Sequence, residues 1–424
     1  MGEELKTIKA AMPGRAAAWG KTATPNRART WWVVHQWVGL KLSLFLTFIL
    51  FTGTLAVVSH EIDWLLQPSL RVAPASVEGP VDWVAIAQNA ARYDLDSEIR
   101  AIEAPIASAF AARVQVERPD GSLIFLHAHP TTGEVQGVGP WVGAARILRN
   151  MHRHLNLPVW LGVPIVTSLA FLLLVSLVSS FVVYKKWWRG FAKPLRRRDA
   201  RTWWGDFHRL AGVWSLWFVV LIVLTSVWYF AESLGLDAPN APRVEAPAEA
   251  GATAASAPDV VDLVASLAAA REAYPGLRIQ QMVFPSEASP YLELHGDYEA
   301  LLVRPRANAV WVDPISSQVL LITDGRDMTV HQRIGEMADP LHFGSFGGYW
   351  TKVPWFLFGL ALTGLAVSGA AIYSLRIARE RQSEIRLSRS FSGMWYGMGH
   401  WRWVSLALIS TGLILLGALL QQSA

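Results

Sequence analysis

The 424-residue chain has no cysteine, which excludes disulfides, iron–sulfur clusters and thioether-attached haem. Charge is sparse too: Asp, Glu, Lys and Arg make up only 17% of residues, while 52% are hydrophobic, too apolar a profile for an ordinary soluble enzyme. No Gly-x-Gly-x-x-Gly follows a strand pattern and no P-loop is present, so no Rossmann-type or P-loop nucleotide site is expected. No Asp/Glu pair or Ser/His/Asp series suggests hydrolysis. Residues 1–30 are basic and polar without an apolar core, so no cleavable signal peptide is expected and the first helix reads as a permanent anchor.

Long apolar runs are what the chain does have. Those at 37–59, 159–184, 210–230, 353–373 and 403–420 meet the length of about 20 residues that spans a bilayer. With their flanks they divide the chain into a basic N-terminus (1–30), spans at 31–59, 159–184, 208–230, 353–375 and 401–424, and connections between them. Lys and Arg crowd the N-terminus and the connections 185–207 and 376–400, and the positive-inside rule puts these in the cytoplasm of a bacterial inner-membrane protein. The net charge of +5 therefore reports topology, and no nucleic-acid partner is expected. The interiors of the runs are nearly uncharged, which argues against a transporter.

Segments 60–158 and 231–352 then fall in the periplasm, each with its own soluble module. Helical periodicity at 81–90 gives way to strand-like alternation at 112–117 and 122–127 and a Pro-containing turn at 129–135. The second module repeats the order, with a helix over 260–274, strands near 291–294, 300–303 and 309–312, and a turn at 313–319. An Ala/Pro-rich stretch at 237–259 reads as an extended linker. The expected architecture is a mainly α-helical membrane bundle of about five helices in duplicated halves, carrying two periplasmic α+β modules. Such a duplication brings equivalent residues together about a pseudo-twofold axis.

Histidines recur at the ends of the apolar runs. Arg29-Thr30-Trp31-Trp32 precedes His35 and Gly39, just as Arg201-Thr202-Trp203-Trp204 precedes His208 and Gly212; His152 and His342 stand ahead of the second run of each half. Ionisable groups near hydrocarbon read as functional, and several at matching depth suggest a bound metal cofactor, haem being the natural one for a helical bundle. On one straight helix His35 and His60 would lie about 37 Å apart at ~1.5 Å per residue, too far to share an iron. His35, His208 and His400 thus sort to one depth, and His60, His152, His154 and His342 to the other. Two bis-histidine haems of the b type follow, with duplication pairing His35 with His208 and His152 with His342, and with His60 or His400 able to replace a member. His127, His129 and His295 read as module residues, and His331 has no assigned role. Gly39 and Gly212 share a helix face with their histidines, and Gly359, Gly364 and Gly369 form a second strip; for the glycines alone, close helix packing is the favoured reading. Most of the 21 tryptophans read as interfacial anchors.

The motifs His35-Gln36-Trp37-Val38-Gly39-Leu40, Met151-His152-Arg153-His154-Leu155, Phe207-His208-Arg209-Leu210-Ala211-Gly212 and Leu341-His342-Phe343-Gly344 resemble those of the PepSY-associated transmembrane family. Leu341-His342-Phe343-Gly344 is the most specific; Met-His-Arg-His in the first half departs from it. The resemblance implies periplasmic PepSY modules and a haem-containing reductase that converts ferric siderophores to Fe(II). Its histidine motifs fall on His35, His152, His208 and His342. The implied electron route runs from a cytoplasmic donor or the quinol pool, through the two haems, to a ferric chelate between the modules. A cofactor-free scaffold presenting two interaction modules and a haem or metal transporter are the competing expectations.

Overall fold

The computed structural model describes residues 27–244, 262–286, 289–380 and 387–422. The basic residues before Arg27, residues 381–386 of the third basic connection and the linker beyond Val244 lie outside the described residues.

The chain enters through α1 (Arg27–Lys41) and α2 (Ser43–Val57), which are bent by 67° where Leu42 leaves helical geometry. A short α3 (Ser59–Leu66) follows, then the first module: α4 (Trp83–Tyr93) and strands β1 (Glu98–Glu103), β2 (Ala112–Glu117), β3 (Leu123–Ala128) and β4 (Val135–Pro140). Helix α5 (Ala144–Arg153) leads back to the bundle, where α6 (Val159–Thr167) and α7 (Leu169–Val183) form one apolar span. The second half repeats this plan. Helices α8 (Ala200–Trp214) and α9 (Leu216–Ala231) break at Ser215, which stands at the same remove from His208 as Leu42 from His35. Then come α10 (Leu263–Ala273), β5 (Arg278–Val283), β6 (Leu292–Asp297), β7 (Ala309–Val312), β8 (Val319–Thr323) and α11 (Val330–Phe343). The long α12 (Tyr349–Glu380), α13 (Leu387–Met398) and α14 (Trp401–Gln422) complete the described chain.

Among the described residues, four helices are long and apolar enough to cross a membrane, and the bent α1–α2 pair makes a fifth if it is one span. With the apolar surface these spans expose, the chain is a multi-pass membrane protein. The packing is duplicated as well: α1 lies on α7 as α8 lies on α12, and α2 lies on α12 as α9 lies on α7.

The modules do not stand apart. Their strands form one antiparallel eight-stranded sheet in the order β4-β3-β2-β1-β5-β6-β7-β8. The central contact pairs Ala101 with Val283, Ile102 with Met282 and Glu103 with Gln281. Strands β1 and β5 are not among the strands expected from sequence, and they are the ones that join the halves. Ile102 and Met282 are fully buried where the pseudo-twofold axis crosses the sheet. Alternate residues of β2 and β6 point into a single core under α4 and α10, and each large side chain buried there contributes about 1.5–3 kcal/mol. Asp82 and Asp262 cap these two helices by accepting from Ala85 and Ala265. The expected strand at 300–303 is a turn, in which Leu302 has a positive φ of 56° and Leu301 is exposed.

Helix α5 begins at Gly143, which has no side chain to cap it. The buried Asp63 of α3 does so instead, its Oδ1 accepting from the Ala144 amide at 2.6 Å and its Oδ2 from Ala145 at 2.9 Å. Helix α11 starts with a Thr329–Gln332 capping box and ends at Gly344, whose φ of 69° is left-handed. A β-carbon there would collide with the Trp355 indole.

Candidate functional site: two facing histidine pairs

Helix α5, capped at its start by Asp63, carries His152 in its last turn, and α11, ended by Gly344, carries His342 in its own. Their ring centroids are 6.1 Å apart, with the planes inclined by 35°. At the far end of the bundle, α1 and α8 bring His35 and His208 to 6.3 Å with an interplanar angle of 84°. Four histidines that are distant in sequence thus form two facing pairs, one near the sheet and one remote from it.

The hydrogen bonds fix how each ring is held. His152 Nδ1 lies 2.9 Å from the carbonyl oxygen of Ile49, which can only accept. His342 Nδ1 lies 2.8 Å from the Thr225 hydroxyl, which donates its own proton to the carbonyls of Leu221 and Ile222. His208 Nδ1 meets Ser368 Oγ at 2.8 Å, and that hydroxyl donates to Leu365. His35 Nδ1 lies 3.1 Å from the Ser176 carbonyl and 2.9 Å from Ser179 Oγ, and Ser179 donates to Ser176. Every Nδ1 is therefore the donor, so every Nε2 carries a lone pair. Among the described residues no Nε2 of these four rings has a hydrogen-bond partner. Fixing one ring nitrogen through a carbonyl or hydroxyl is how proteins orient a metal-binding imidazole.

The spacing suits a shared metal. An imidazole nitrogen binds a first-row ion at about 2 Å, and with about 1 Å from nitrogen to ring centre on each side, two rings on one ion have centroids about 6 Å apart. Among the described residues no group of three or more His, Cys, Asp or Glu could hold a metal ion. A bare ion would thus have only two protein ligands, whereas a macrocycle such as haem brings its own equatorial nitrogens. The donor set fits that group.

Space around the pairs is shaped by small residues. A β-carbon on Gly53 would lie 2.5 Å from His152 Cε1, so glycine lets the ring reach α2. A cavity of about 400 Å³ lies between the halves, lined by His152, His342, Gly53, Phe218, Trp355 and Gly359 among others. Beside His35, nothing lies within 4 Å of where a Gly39 β-carbon would be. A β-carbon on Gly359 would lie 2.9 Å from Thr54 Oγ1 and one on Gly364 2.9 Å from Phe207 Cζ, which is helix packing, and one on Gly369 would sit 3.5 Å from His208 Cε1.

The other histidines stand elsewhere. His60 lies at the start of α3, with Arg113, Lys352 and Arg149 as its charged neighbours; burial first, then these cations, push its pKa down to about 3. It makes no ring contact with either pair. His400 is exposed in the turn between α13 and α14 and likewise joins neither pair. The separation of about 37 Å between His35 and His60 applies to one straight helix, and the breaks at Leu42 and Val58 show that the chain between them is not straight. His154 turns away to the Leu157 carbonyl at 2.7 Å. His127 is buried in β3 against Ser69, His129 bonds Ser76, His295 pairs with Glu293 at 3.1 Å, and His331 meets the Leu236 carbonyl. Sequence reasoning missed the Nδ1 partners Thr225, Ser368, Ser176 and Ser179. Ser176 contributes its backbone carbonyl, and a small hydroxyl residue inside an apolar helix gave no local signal of the role the others play.

Duplicated membrane helices under one shared sheet, with facing imidazoles at both ends of the bundle, define a class of membrane protein built around paired histidines. The chain belongs to the PepSY-associated transmembrane family: the model of the PepSY-associated TM region matches residues 32–376. No curated protein matches the chain.

Proposed function

We propose that this protein is a haem-containing membrane reductase that passes electrons across the bacterial inner membrane to a periplasmic ferric chelate, such as a ferric siderophore, and so releases Fe(II). The observation that carries this reading is the state of the four histidines. Each donates through Nδ1 and presents a free Nε2 lone pair, in pairs spaced for one iron. Haem b held by both pairs would supply reversible one-electron chemistry at iron.

The chain's own residues would do the rest. His152 and His342 orient the site near the sheet, and His35 and His208 the remote one. Apolar walls such as Phe218, Trp355 and Leu362 exclude water between them. The Lys- and Arg-rich connections favour the cytoplasmic side for the remote pair, where a quinol or a cytoplasmic reductase is the electron donor. The sheet then stands in the periplasm, and the chelate is reduced beneath it. Fe(II) binds hard oxygen ligands less well than Fe(III), so one-electron reduction loosens the chelate.

The test is anaerobic mixing of dithionite-reduced protein with a ferric hydroxamate in the presence of an Fe(II)-trapping dye. Reoxidation of the haem in step with Fe(II) capture is the expected result, and His342→Ala abolishes it. A protein that carries no haem, or whose reduced haem ignores the chelate, contradicts the proposal, the first outcome favouring a scaffold.

A further inference from the structure

Helices α5 and α11 are counterparts, yet their charges are opposite. Counting back from His152, α5 presents Arg149 and Arg146; counting back equally from His342, α11 presents Asp339 and Glu336. The acids of α11 are neutralised. Arg304 binds Glu336 at 2.8 Å and Asp339 at 2.9 Å, Arg306 binds Glu336 at 2.9 Å, and the Tyr229 hydroxyl donates to Asp339 at 2.6 Å. The cations of α5 are not. Arg146 lies over the Trp141 ring at 3.7 Å and donates to its carbonyl. Burial, then the like charges of Arg149 and Arg113, hold its pKa below the usual arginine value. Arg149 and Arg153 make no ion pair or hydrogen bond among the described residues, although both line the cavity between His152 and His342.

The remaining charged groups of that cavity are occupied. Arg304 and Asp339 belong to the network above, and Glu232 accepts from the Trp228 indole at 2.8 Å. Two exposed guanidinium groups without a protein partner among the described residues therefore stand at one wall of a ligand-sized space whose other charged groups are engaged. A guanidinium is a planar fork of donors suited to bidentate binding of a carboxylate. The opposite wall offers no such group, because its cation is already paired.

Resting on the haem reading above, we propose that Arg149 and Arg153 bind the two propionate carboxylates of the haem held by His152 and His342, fixing its acidic edge on the α5 side of the cavity. The asymmetry of α5 and α11 then decides which edge of the ring turns towards α5. The same carboxylate chemistry would also attract an anionic chelate arriving from outside, and the experiment separates the two sources.

Wild-type protein, R149Q, R153Q, the double variant and the double lysine variant are reconstituted with haemin and, separately, with haemin dimethyl ester, whose carboxylates carry no charge. Loss of pigment to a soluble haem scavenger is followed, with the haem of the His35–His208 pair as internal control. Each charge-assisted contact is worth about tenfold in dissociation rate. The double glutamine variant should therefore lose haemin from the sheet-side pair at least about tenfold faster than wild type, and the lysine variant less so. Haemin dimethyl ester should leave wild type and variants at equal rates. Unchanged haemin loss with weakened ferric-chelate binding would overturn the assignment in favour of the chelate. Equal acceleration for haemin and its ester would overturn it in favour of a structural role. Wild-type protein that takes up no haem would overturn both this inference and the reading beneath it.

Discussion

His152 leans on a backbone carbonyl of α2, whereas His342, its counterpart in the second half, leans on a threonine hydroxyl of α9. Each half has a threonine at the same remove from its first histidine, Thr52 and Thr225. In both halves the hydroxyl donates back into its own helix, Thr52 to Phe48 and Ile49, Thr225 to Leu221 and Ile222. Only in the second half does the oxygen also receive the ring. Duplication has thus preserved the position and tautomer of the imidazole while changing the group that enforces it. What the repeat conserves is the direction of a lone pair, and the means of fixing it has drifted between backbone and side chain.

The comparison breaks most completely when a ring is removed. His152→Ala or His342→Ala should eliminate the pigment of the sheet-side pair and leave the remote one, whereas His35→Ala or His208→Ala should do the reverse. Haem quantified per chain with reduced-minus-oxidised spectra reads this directly; loss of both signals from any one substitution would argue that the sites are not independent.

Gly344→Ala comes next. A left-handed conformation costs an alanine about 1 kcal/mol or more, and Trp355 occupies the space its methyl would need. A total near ~2 kcal/mol, with a lowered unfolding midpoint and loosened sheet-side haem, is expected. The first half has His154 at the matching place, with a φ of −149° that carries no left-handed strain. His154→Ala therefore incurs no such backbone penalty and serves as the first-half comparison. A Gly344→Ala protein as stable as wild type would remove the α11 cap from the account.

Thr225→Val against Thr52→Val sharpens the difference between the halves. Removing the orienting partner of a metal-bound histidine typically costs about 10–100-fold in affinity. Thr225→Val should therefore weaken sheet-side haem retention by about that factor, and Thr52→Val far less, because the Ile49 carbonyl remains. Equal effects would mean that the threonines serve helix packing alone.

The smallest expected effect is one of pH. Burial, then the nearby Arg113, push His127 down to about 4, so it is neutral in the folded sheet. The unfolded chain, with the ordinary value of 6.5, binds a proton first. This contribution to stability is therefore present above about pH 6.5 and is lost as pH falls towards 4. His127→Asn should flatten that acid limb in thermal unfolding. The second half has Trp311 at the matching place on β7, opposite Leu321 as His127 is opposite Gly137, and contributes no such dependence. An acid limb that is unchanged in the variant would place the titration elsewhere.

Much of the arrangement is legible in the sequence because repetition is a strong signal. The matching Arg-Thr-Trp-Trp runs and the glycines that follow the histidines announce the duplication, and the juxtaposition of His35 with His208 and of His152 with His342 follows from a twofold relation between halves. Strands β1 and β5 are hidden because their edges carry charges, such as Arg100 and Glu103, whose partners Glu117 and Arg113 lie on β2. Their apolar residues meet only when the modules join. The run Ala300-Leu301-Leu302-Val303 has the composition of a strand, yet it turns, since tertiary context overrides β-propensity in so short a segment. The hydroxyl partners of the rings are invisible for another reason. A Ser or Thr in an apolar helix ordinarily bonds its own backbone, and nothing local marks the one whose oxygen also faces a ring on a distant helix.

The most direct test of the central claim is the electron paramagnetic resonance spectrum of the oxidised, haem-quantified protein. Two haems per chain are expected, both low-spin with axial imidazoles. The pair inclined by 84° should give a strongly anisotropic signal and the pair inclined by 35° a rhombic one. A colourless protein expressed with haem available, or a high-spin signal from an iron with an open axial position, would contradict the account.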